Sequence, residues 1–488
     1  MHGRPSVAAV TYGAGGFNMV NPIASAYAEK SPVIVISGGP GDSERSTGLL
    51  VHHQAKSLNS QLKVYEEVTV DQAILNDPEK APEQIARVLA NCIRHSRPVY
   101  LEIPRDKVFL PCQAVPAPPA SYHEWWQPSQ AALDACAEAI LANLAKAEKP
   151  VMVADIEIRR FGVEKQVAEL ARRLQIPVVT TLMGRGLLAD AEDIDLRGTY
   201  LGTAGDKDLR YLVDKSDAPF LIGTILTDNN FGMSGKSLDL RAVMIAADGQ
   251  CSMGYHVYEN IPLPHLVAKL LEKCPKRTPT KHVIACPETF EYGFTADNAI
   301  CTPNDIAILL NDHFAENDPM PIASDIGDCF FTTLDIHNTR LVAPGFYATM
   351  GFGVPAGFGL QAATGERPII LVGDGAFQMT GWELLNAPRY GLTPIVLVFN
   401  NASWEMLRTF QPESQFNDLP QLDFAHIAES LGGVGHTANN RAMLKLAFET
   451  ALSDTDHFHI IDIQIEKKVL SKTLGKFVDR YVEIRKQK

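Results

Sequence analysis

Gly373-Asp374-Gly375 and Asn400-Asn401 are the residues whose types and spacing point most directly to chemistry. Asp374 offers a carboxylate and Asn401 an amide oxygen, and the backbone carbonyl of Ser403 supplies a third oxygen just beyond. Hard oxygen donors of this kind suit Mg²⁺, which fills its remaining positions with phosphate oxygens and water. The glycines let the backbone approach a ligand closely, and a helix start beside them favours an anion. The implied chemistry is a diphosphate clamped through Mg²⁺.

The adjacent pair His52-His53 follows the apolar Leu49-Leu50-Val51. Neighbouring residues make a poor metal pair, because on a helix they point about 100° apart. They suit proton transfer or a hydrogen bond to a carbonyl at a cleft, and equally a plain surface. Gly13-Ala14-Gly15-Gly16 after an apolar run could form a dinucleotide phosphate loop. Its spacing is not Gly-x-Gly-x-x-Gly, and no acidic residue ends the next apolar run. Arg185, in Met-Gly-Arg-Gly, reads as a turn residue rather than an anion contact.

These residues need elements to position them. Ile369 to Val372 is an apolar run of buried-strand type that stops at Gly373. Thr380 with Glu383 reads as a capping box opening a helix; Gly391 closes it, and Pro388 should kink its last turn. Pro394 to Phe399 is a second run, ending on Asn400-Asn401. Strand, turn, helix, strand makes one βαβ unit. Both polar clusters then sit at the C-terminal ends of neighbouring parallel strands, where open α/β sheets bind ligands. Similar strands are expected at 6–12, 32–37, 97–104, 150–155, 177–182, 220–223, 242–247, 321–325 and 459–465. Thr302-Pro303-Asn304-Asp305 is a strong helix start. Proline-rich stretches punctuate the pattern. The expected division is a first domain over 1–110, a linker over 111–130, a middle domain over 131–274, a linker over 275–301 and a last domain over 302–488. The expected fold is α/β, with three doubly wound parallel-sheet domains.

With 488 residues the chain exceeds one typical domain. A net charge of −13 argues against nucleic acid or an anionic membrane as partner. No apolar run approaches the ~20 residues that span a bilayer. No secretory leader is evident, and eight cysteines without a Cys-x-x-Cys fit reduced thiols in the cytoplasm.

Further motifs accompany the clamp: Val10-Thr11-Tyr12-Gly13, Ala26-Tyr27-Ala28-Glu29, Gly198-Thr199-Tyr200 and Met350-Gly351-Phe352-Gly353-Val354-Pro355. Nearly end to end, the chain resembles the thiamine-diphosphate (ThDP) dependent 2-oxo acid decarboxylases, most nearly their phenylpyruvate/indolepyruvate branch. The resemblance implies that the first domain binds the aminopyrimidine, the middle one is architectural and the last binds the diphosphate. It implies Mg²⁺ on Asp374, Asn401 and the Ser403 carbonyl, with Asp328, Gly375 and Ala376 along the diphosphate. Met350 would wedge between the cofactor rings, and the Ala348 carbonyl would bond the pyrimidine amino group. His52 and His53 would orient the substrate carbonyl and move protons; Thr11, Trp404, Met406 and Leu407 would line the substrate pocket. The implied reaction converts a small 2-oxo acid to an aldehyde and CO₂, with the cofactor as electron sink. Active sites between subunits imply a homodimer or homotetramer.

Two departures from the family pattern shape the expectation. Family members begin with roughly sixty further residues, a βα segment of the first parallel sheet. That segment carries the glutamate that activates the pyrimidine, so an N-terminally incomplete first domain with impaired catalysis is expected. Leu407 stands where pyruvate-type relatives carry a glutamate. An apolar residue there favours an aromatic 2-oxo acid, phenylpyruvate or indole-3-pyruvate. The competing expectations are an acetolactate-synthase-type carboligase, a nicotinamide oxidoreductase built on Gly13 to Gly16, and a ThDP-holding subunit with little activity.

Overall fold

Aliphatic and β-branched runs bounded by glycine, proline or polar turns become the strands of three sheets. The computed structural model describes residues 4–115, 126–191, 193–228, 243–275 and 290–486. Much of both expected linkers, 116–125 and 276–289, and Ala242 in the expected strand 242–247, lie outside the described residues.

The first sheet contains β1 (Ser6–Val10), β2 (Val33–Gly39), β3 (Asp71–Ile74) and β4 (Val99–Pro104). They run parallel in the order β1-β2-β4-β3. The middle sheet contains β5 (Pro150–Ala154), β6 (Val178–Thr180), β7 (Leu196–Thr199), β8 (Ala218–Ile222), β9 (Met244–Ala247), β10 (Gln250–Met253) and β11 (His256–Tyr258). Its order is β11-β10-β9-β8-β5-β6-β7; β9 to β11 form an antiparallel edge on a parallel core. The last sheet contains β12 (Ile322–Ser324), β13 (Leu341–Val342), β14 (Ile369–Gly373), β15 (Ile395–Asn400), β16 (Val434–Ala438) and β17 (His459–Gln464). It is all parallel, ordered β13-β12-β14-β15-β17-β16.

The central strands of the last sheet show why their sequence lacks polar alternation. Ile369, Leu371, Ile395 and Leu397 pack on one face against Ile306, Leu310 and Phe448. Ile370, Val372, Val396 and Val398 pack on the other against Phe377, Leu384 and Phe424. Successive residues point to opposite faces, and helices cover both, so every position must be apolar. Each fully buried aliphatic side chain contributes about 1.5–3 kcal/mol, which makes this sheet a rigid base for whatever follows its strands. The helix Pro303–Glu316 starts as read: Thr302 and Asp305 cap each other reciprocally.

Local expectations needed correction after the Gly-Asp-Gly turn. The helix begins at Asp374 itself and runs Asp374–Thr380. Thr380 makes no capping bond; its hydroxyl donates to the Gly351 carbonyl at 2.7 Å. A 3-10 turn, Gly381–Asn386, follows, and Pro388 sits in the first turn of a separate short helix, Ala387–Tyr390. Pro388 therefore starts a helix, where its missing N–H is harmless, rather than kinking one. Gly391 does close it, at φ 63°. Arg185 is not a simple turn residue. It is buried, and its guanidinium donates to the carbonyls of Thr333 and Ile336, tying the middle sheet's loops to the last domain.

Candidate active site

In the last sheet β13 lies on one side of β12, while β14 and the strands after it lie on the other. The chain thus changes direction between β12 and β14, which opens a crevice at their C-terminal ends. Two aspartates follow those strands immediately, Asp325 after β12 and Asp374 after β14. A cleft of about 340 Å³ lies there. Asp328, Ala348, Met350, Asp374, Gly375 and Ala376 all line it. Asn401, Ser403, Trp404, Met406 and Leu407 line it too. Eleven of the residues singled out from sequence are thus brought together by one crevice.

Asp374 is buried, and its Oδ1 accepts from the Gly375 amide at 2.7 Å. Its Oδ2 is buried with no hydrogen-bond partner, and so is Oδ1 of Asn401. An unmet buried polar group costs about 1–3 kcal/mol, more for a charged one. Two such oxygens, on residues that end neighbouring strands, fit a divalent cation that prefers hard oxygen ligands. Burial pushes the Asp374 carboxyl up to about 6, although the facing amides of Gly375, Ala402, Ser403 and Asn401 favour its charged form. A bound cation would reverse that balance. Ala402 holds φ 50° in the turn between the Asn401 and Ser403 oxygens. Gly375 is required by packing: a Cβ there would lie 2.1 Å from the Trp404 ring.

The opposite wall is shaped by a residue that sequence reading missed. Asp325 is fully buried and accepts from the amides of Gly351 at 3.1 Å and Gly353 at 2.7 Å. It fixes the turn that follows Met350, with Gly351 at φ 77°. Ala348, two residues before Met350, sits at φ 60°, a conformation costly for a residue with a Cβ. Asp328 is half-buried and accepts from the Ser471 amide at 3.0 Å; desolvation pushes its carboxyl up to about 6. Glu405, two residues before Leu407, is buried. One of its oxygens accepts from the Lys468 amide at 3.0 Å; the other has no hydrogen-bond partner and lies 3.7 Å from the Arg408 guanidinium. Phe331 and Phe477 add aromatic wall, their rings 5.1 Å apart. Nothing in local periodicity marked the part played by either Asp325 or Phe477: Phe477 lines the crevice, and Asp325 stands behind it, holding distant amides.

The first-domain candidates are not part of this cleft. His52 and His53 are exposed, with ring centroids 3.8 Å apart, and Thr11 is exposed beside the end of β1. His53 holds φ 65°, and its carbonyl lies where a Cβ on Gly13 would be, 2.1 Å away. The glycine turn is filled rather than open. Gln61 accepts from the Gly13 amide at 2.6 Å and donates to Ser37 and Tyr100. A dinucleotide phosphate has no free amide at Gly13 to bind.

Residues 325–463 match the family described as thiamine pyrophosphate enzyme, C-terminal TPP binding domain. Residues 137–272 match its central domain and residues 1–64 its N-terminal TPP binding domain. An indole-3-pyruvate decarboxylase of Azospirillum brasilense is 52% identical over 474 residues, covering 97% of this chain and 86% of that protein. The chain belongs to the ThDP-dependent 2-oxo acid decarboxylases.

More distant members agree. A pyruvate decarboxylase of Aspergillus parasiticus is 27% identical over 86% of this chain and 76% of its own length. An alpha-keto-acid decarboxylase of Mycobacterium leprae (strain TN) is 25% identical over 96% of this chain and 82% of its own length. The family's enzymes are carboxy-lyases with ThDP as cofactor and small 2-oxo acids as substrates. Three α/β units, as expected from sequence, are what the structure contains. Among the described residues no helix is long and apolar enough to cross a membrane.

Proposed function

We propose that this ThDP-dependent decarboxylase acts on aromatic 2-oxo acids, indole-3-pyruvate and phenylpyruvate, releasing the corresponding aldehyde and CO₂. The observation that carries the reading is the pair of unmet oxygens, Asp374 Oδ2 and Asn401 Oδ1, at the foot of an apolar cleft. In this reading those two oxygens and the Ser403 carbonyl hold Mg²⁺, and Asp328, Gly375 and Ala376 flank the diphosphate. ThDP, when bound, supplies the electron sink for loss of CO₂. Met350 would pack against the cofactor's rings, and the Ala348 carbonyl would accept from its pyrimidine amino group. Leu407 with Trp404, Met406 and the neighbouring phenylalanines gives an apolar wall that excludes water and fits an aromatic side chain.

His52 and His53 orient the substrate carbonyl and exchange protons with it. They act in a cleft completed by a second copy of the chain, as part of a homodimer or a dimer of dimers. Support comes from the apolar side chains of Met379, Trp382, Leu385 and Tyr390, exposed on the segment that follows Asp374.

The carboligase reading is disfavoured by the middle domain. Its direction change falls between β5 and β8, where a doubly wound sheet would receive a nucleotide. That crevice is filled: Glu157 pairs there with Lys30 of the first domain and accepts from the Asp248 amide.

The test is aldehyde and CO₂ formation with ThDP and Mg²⁺ present. Indole-3-pyruvate and phenylpyruvate should each exceed pyruvate in kcat/KM by about tenfold or more. A preference for pyruvate, or acetolactate as the main product, would refute the reading.

A further inference from the structure

The loop that bears Ala348 and Met350 is held from outside its own domain. Glu29 ends the helix Val20–Ala28 of the first domain as its C-terminal cap. Its side chain is buried, and Oε1 accepts from two successive amides, those of Phe346 and Tyr347, at 2.8 Å each. The next amide, of Ala348, donates to the Pro344 carbonyl at 3.2 Å. Residues 344–348 therefore form one turn whose leading N–H groups are capped by a carboxylate from a different sheet. This is the job an N-cap side chain does for a helix, carried out at long range. Immediately after it the chain enters the left-handed conformation at Ala348, and Met350 follows.

The surroundings show that the contact is built. The Arg160 guanidinium donates to the Glu29 backbone carbonyl at 3.1 Å, and its charge helps offset the burial that pushes the Glu29 carboxyl up. Tyr347 is tied a second time, by its hydroxyl, to Asn21 on the same helix. On the other side the loop is wedged at Gly345, where a Cβ would lie 3.1 Å from the Met183 backbone. Lys30, the next residue, instead faces the middle domain and pairs with Glu157 and, at 2.8 Å, with Asp248. Two adjacent residues thus divide two tasks: Lys30 locks domain to domain, and Glu29 shapes a loop that lines the cleft.

We infer that Glu29 is a positioning residue for the cofactor, capping the 346–347 amides so that Ala348 and Met350 present the carbonyl and the side chain that ThDP requires. The inference rests on the assignment of Ala348 and Met350 to ThDP made above. It does not make Glu29 a catalytic residue, since its carboxylate lines no part of the cleft.

The test compares Glu29→Ala, Glu29→Gln, Lys30→Met and Met350→Ala in the full chain. Calorimetric titration with ThDP and Mg²⁺, steady-state kinetics and melting temperature are measured for each. Glu29→Ala should weaken ThDP binding about tenfold, the loss expected for hydrogen bonds to a charged acceptor. Its kcat should fall about 100-fold with little change in KM, as for a misplacement near 1 Å. Glu29→Gln keeps a carbonyl oxygen for both amides and should stay within about threefold of the parent in both. Lys30→Met should lower the melting temperature while leaving ThDP affinity unchanged. Should Glu29→Ala not fold, hydrogen exchange decides. The 346 and 347 amides should be protected in the parent and exchange faster in Glu29→Gln, whose neutral oxygen accepts more weakly, while the 348 amide stays slow; equal 346 and 347 rates in the two would overturn the inference. If Glu29→Ala binds ThDP and turns over like the parent while Met350→Ala does not, the inference is wrong and the cofactor assignment stands. If both variants match the parent, the assignment of the loop to ThDP falls, and the inference with it. A lower melting temperature alone, with cofactor affinity and kcat intact, would reduce Glu29 to a structural tie and overturn the proposal.

Discussion

Two aspartates lie at the direction changes of two sheets and end with opposite fates. Asp155 follows β5 at the direction change of the middle sheet, and Asp374 follows β14 at that of the last. Both are buried and both carboxyls are pushed up by burial, Asp155 to about 7 and Asp374 to about 6. The oxygens of Asp155 are satisfied internally: Oδ1 accepts from the Ile156 amide at 2.7 Å and Oδ2 from the Ile225 amide at 3.0 Å. Two residues on, Glu157 is consumed by Lys30 and the Asp248 amide. At Asp374, Oδ2 is left without a partner, as is the Asn401 oxygen in the same cleft. Burial and position are shared; unspent hydrogen-bonding capacity is not. A crevice whose polar groups are saturated by protein is architecture, and one whose oxygens remain unmet is built for a ligand.

The comparison breaks most visibly at the two aspartates. Asp374→Ala should reduce Mg²⁺-dependent ThDP binding by more than about 100-fold, beyond the usual effect of losing an outer contact to a metal site. Asp155→Ala should leave ThDP binding unchanged and cost about 1–3 kcal/mol of stability for each amide left unpaired. Titration calorimetry with denaturant melts measures both; equal cofactor loss in the two variants would sink the distinction.

Next in size, Lys30→Met strands the buried Glu157 carboxylate in the filled crevice. Unfolding free energy should drop by about 3–5 kcal/mol, the usual loss when one partner of a buried ion pair is removed. A drop below about 1 kcal/mol, the worth of a surface pair, would mean that the crevice is not held shut by this contact.

Leu407→Glu sharpens the picture of the open crevice. A charge in the apolar wall should lower kcat/KM for indole-3-pyruvate by about 10- to 200-fold. Pyruvate should be affected far less, so the ratio of the two substrates is the quantity to follow. An unchanged ratio would remove Leu407 from the substrate pocket.

The smallest effect concerns the far end of the last sheet, where neither crevice reaches. His459 is fully buried; His436 donates to it or accepts from it at 3.0 Å, and Asp454 lies 3.2 Å away. Burial, followed by the nearby His436, lowers the His459 imidazole from 6.5 to about 4, with Asp454 opposing and Arg367 adding to the shift. The unfolded chain takes up this proton near 6.5 and the folded chain only near 4. Stability is therefore lost as pH falls from about 6.5 towards 4 and is flat above. His459→Gln should flatten that part of the denaturation-midpoint curve; a slope unchanged by the substitution would assign it to other groups.

Much of the site was legible without coordinates. Gly-Asp-Gly and Asn-Asn each close a buried apolar run, and a run of 4–6 such residues followed by glycine can hardly be anything but a strand end. Parallel pairing of the two runs then places Asp374 and Asn401 together by topology alone. The helix after Asp374 was misread at Thr380 because a capping box is a local pattern. The Gly351 carbonyl that takes the Thr380 hydroxyl comes from a distant turn. Arg185 was misjudged for the same reason: its partners, Thr333 and Ile336, lie far along the chain.

The α/β class, the strand ends and the oxygen donors are therefore readable from the chain without its fold. Those depend on residue type and on periods of two or three to four residues, which are local quantities. Which carboxylates keep unmet oxygens is set by the folded arrangement, since that depends on amides and cations arriving from other sheets. It decided that Gln61 fills the first glycine turn, that Lys30 fills the middle crevice, and that Glu29 reaches across to the Ala348 loop. Whether a buried polar atom is satisfied is a property of the assembled fold, and no local pattern encodes it.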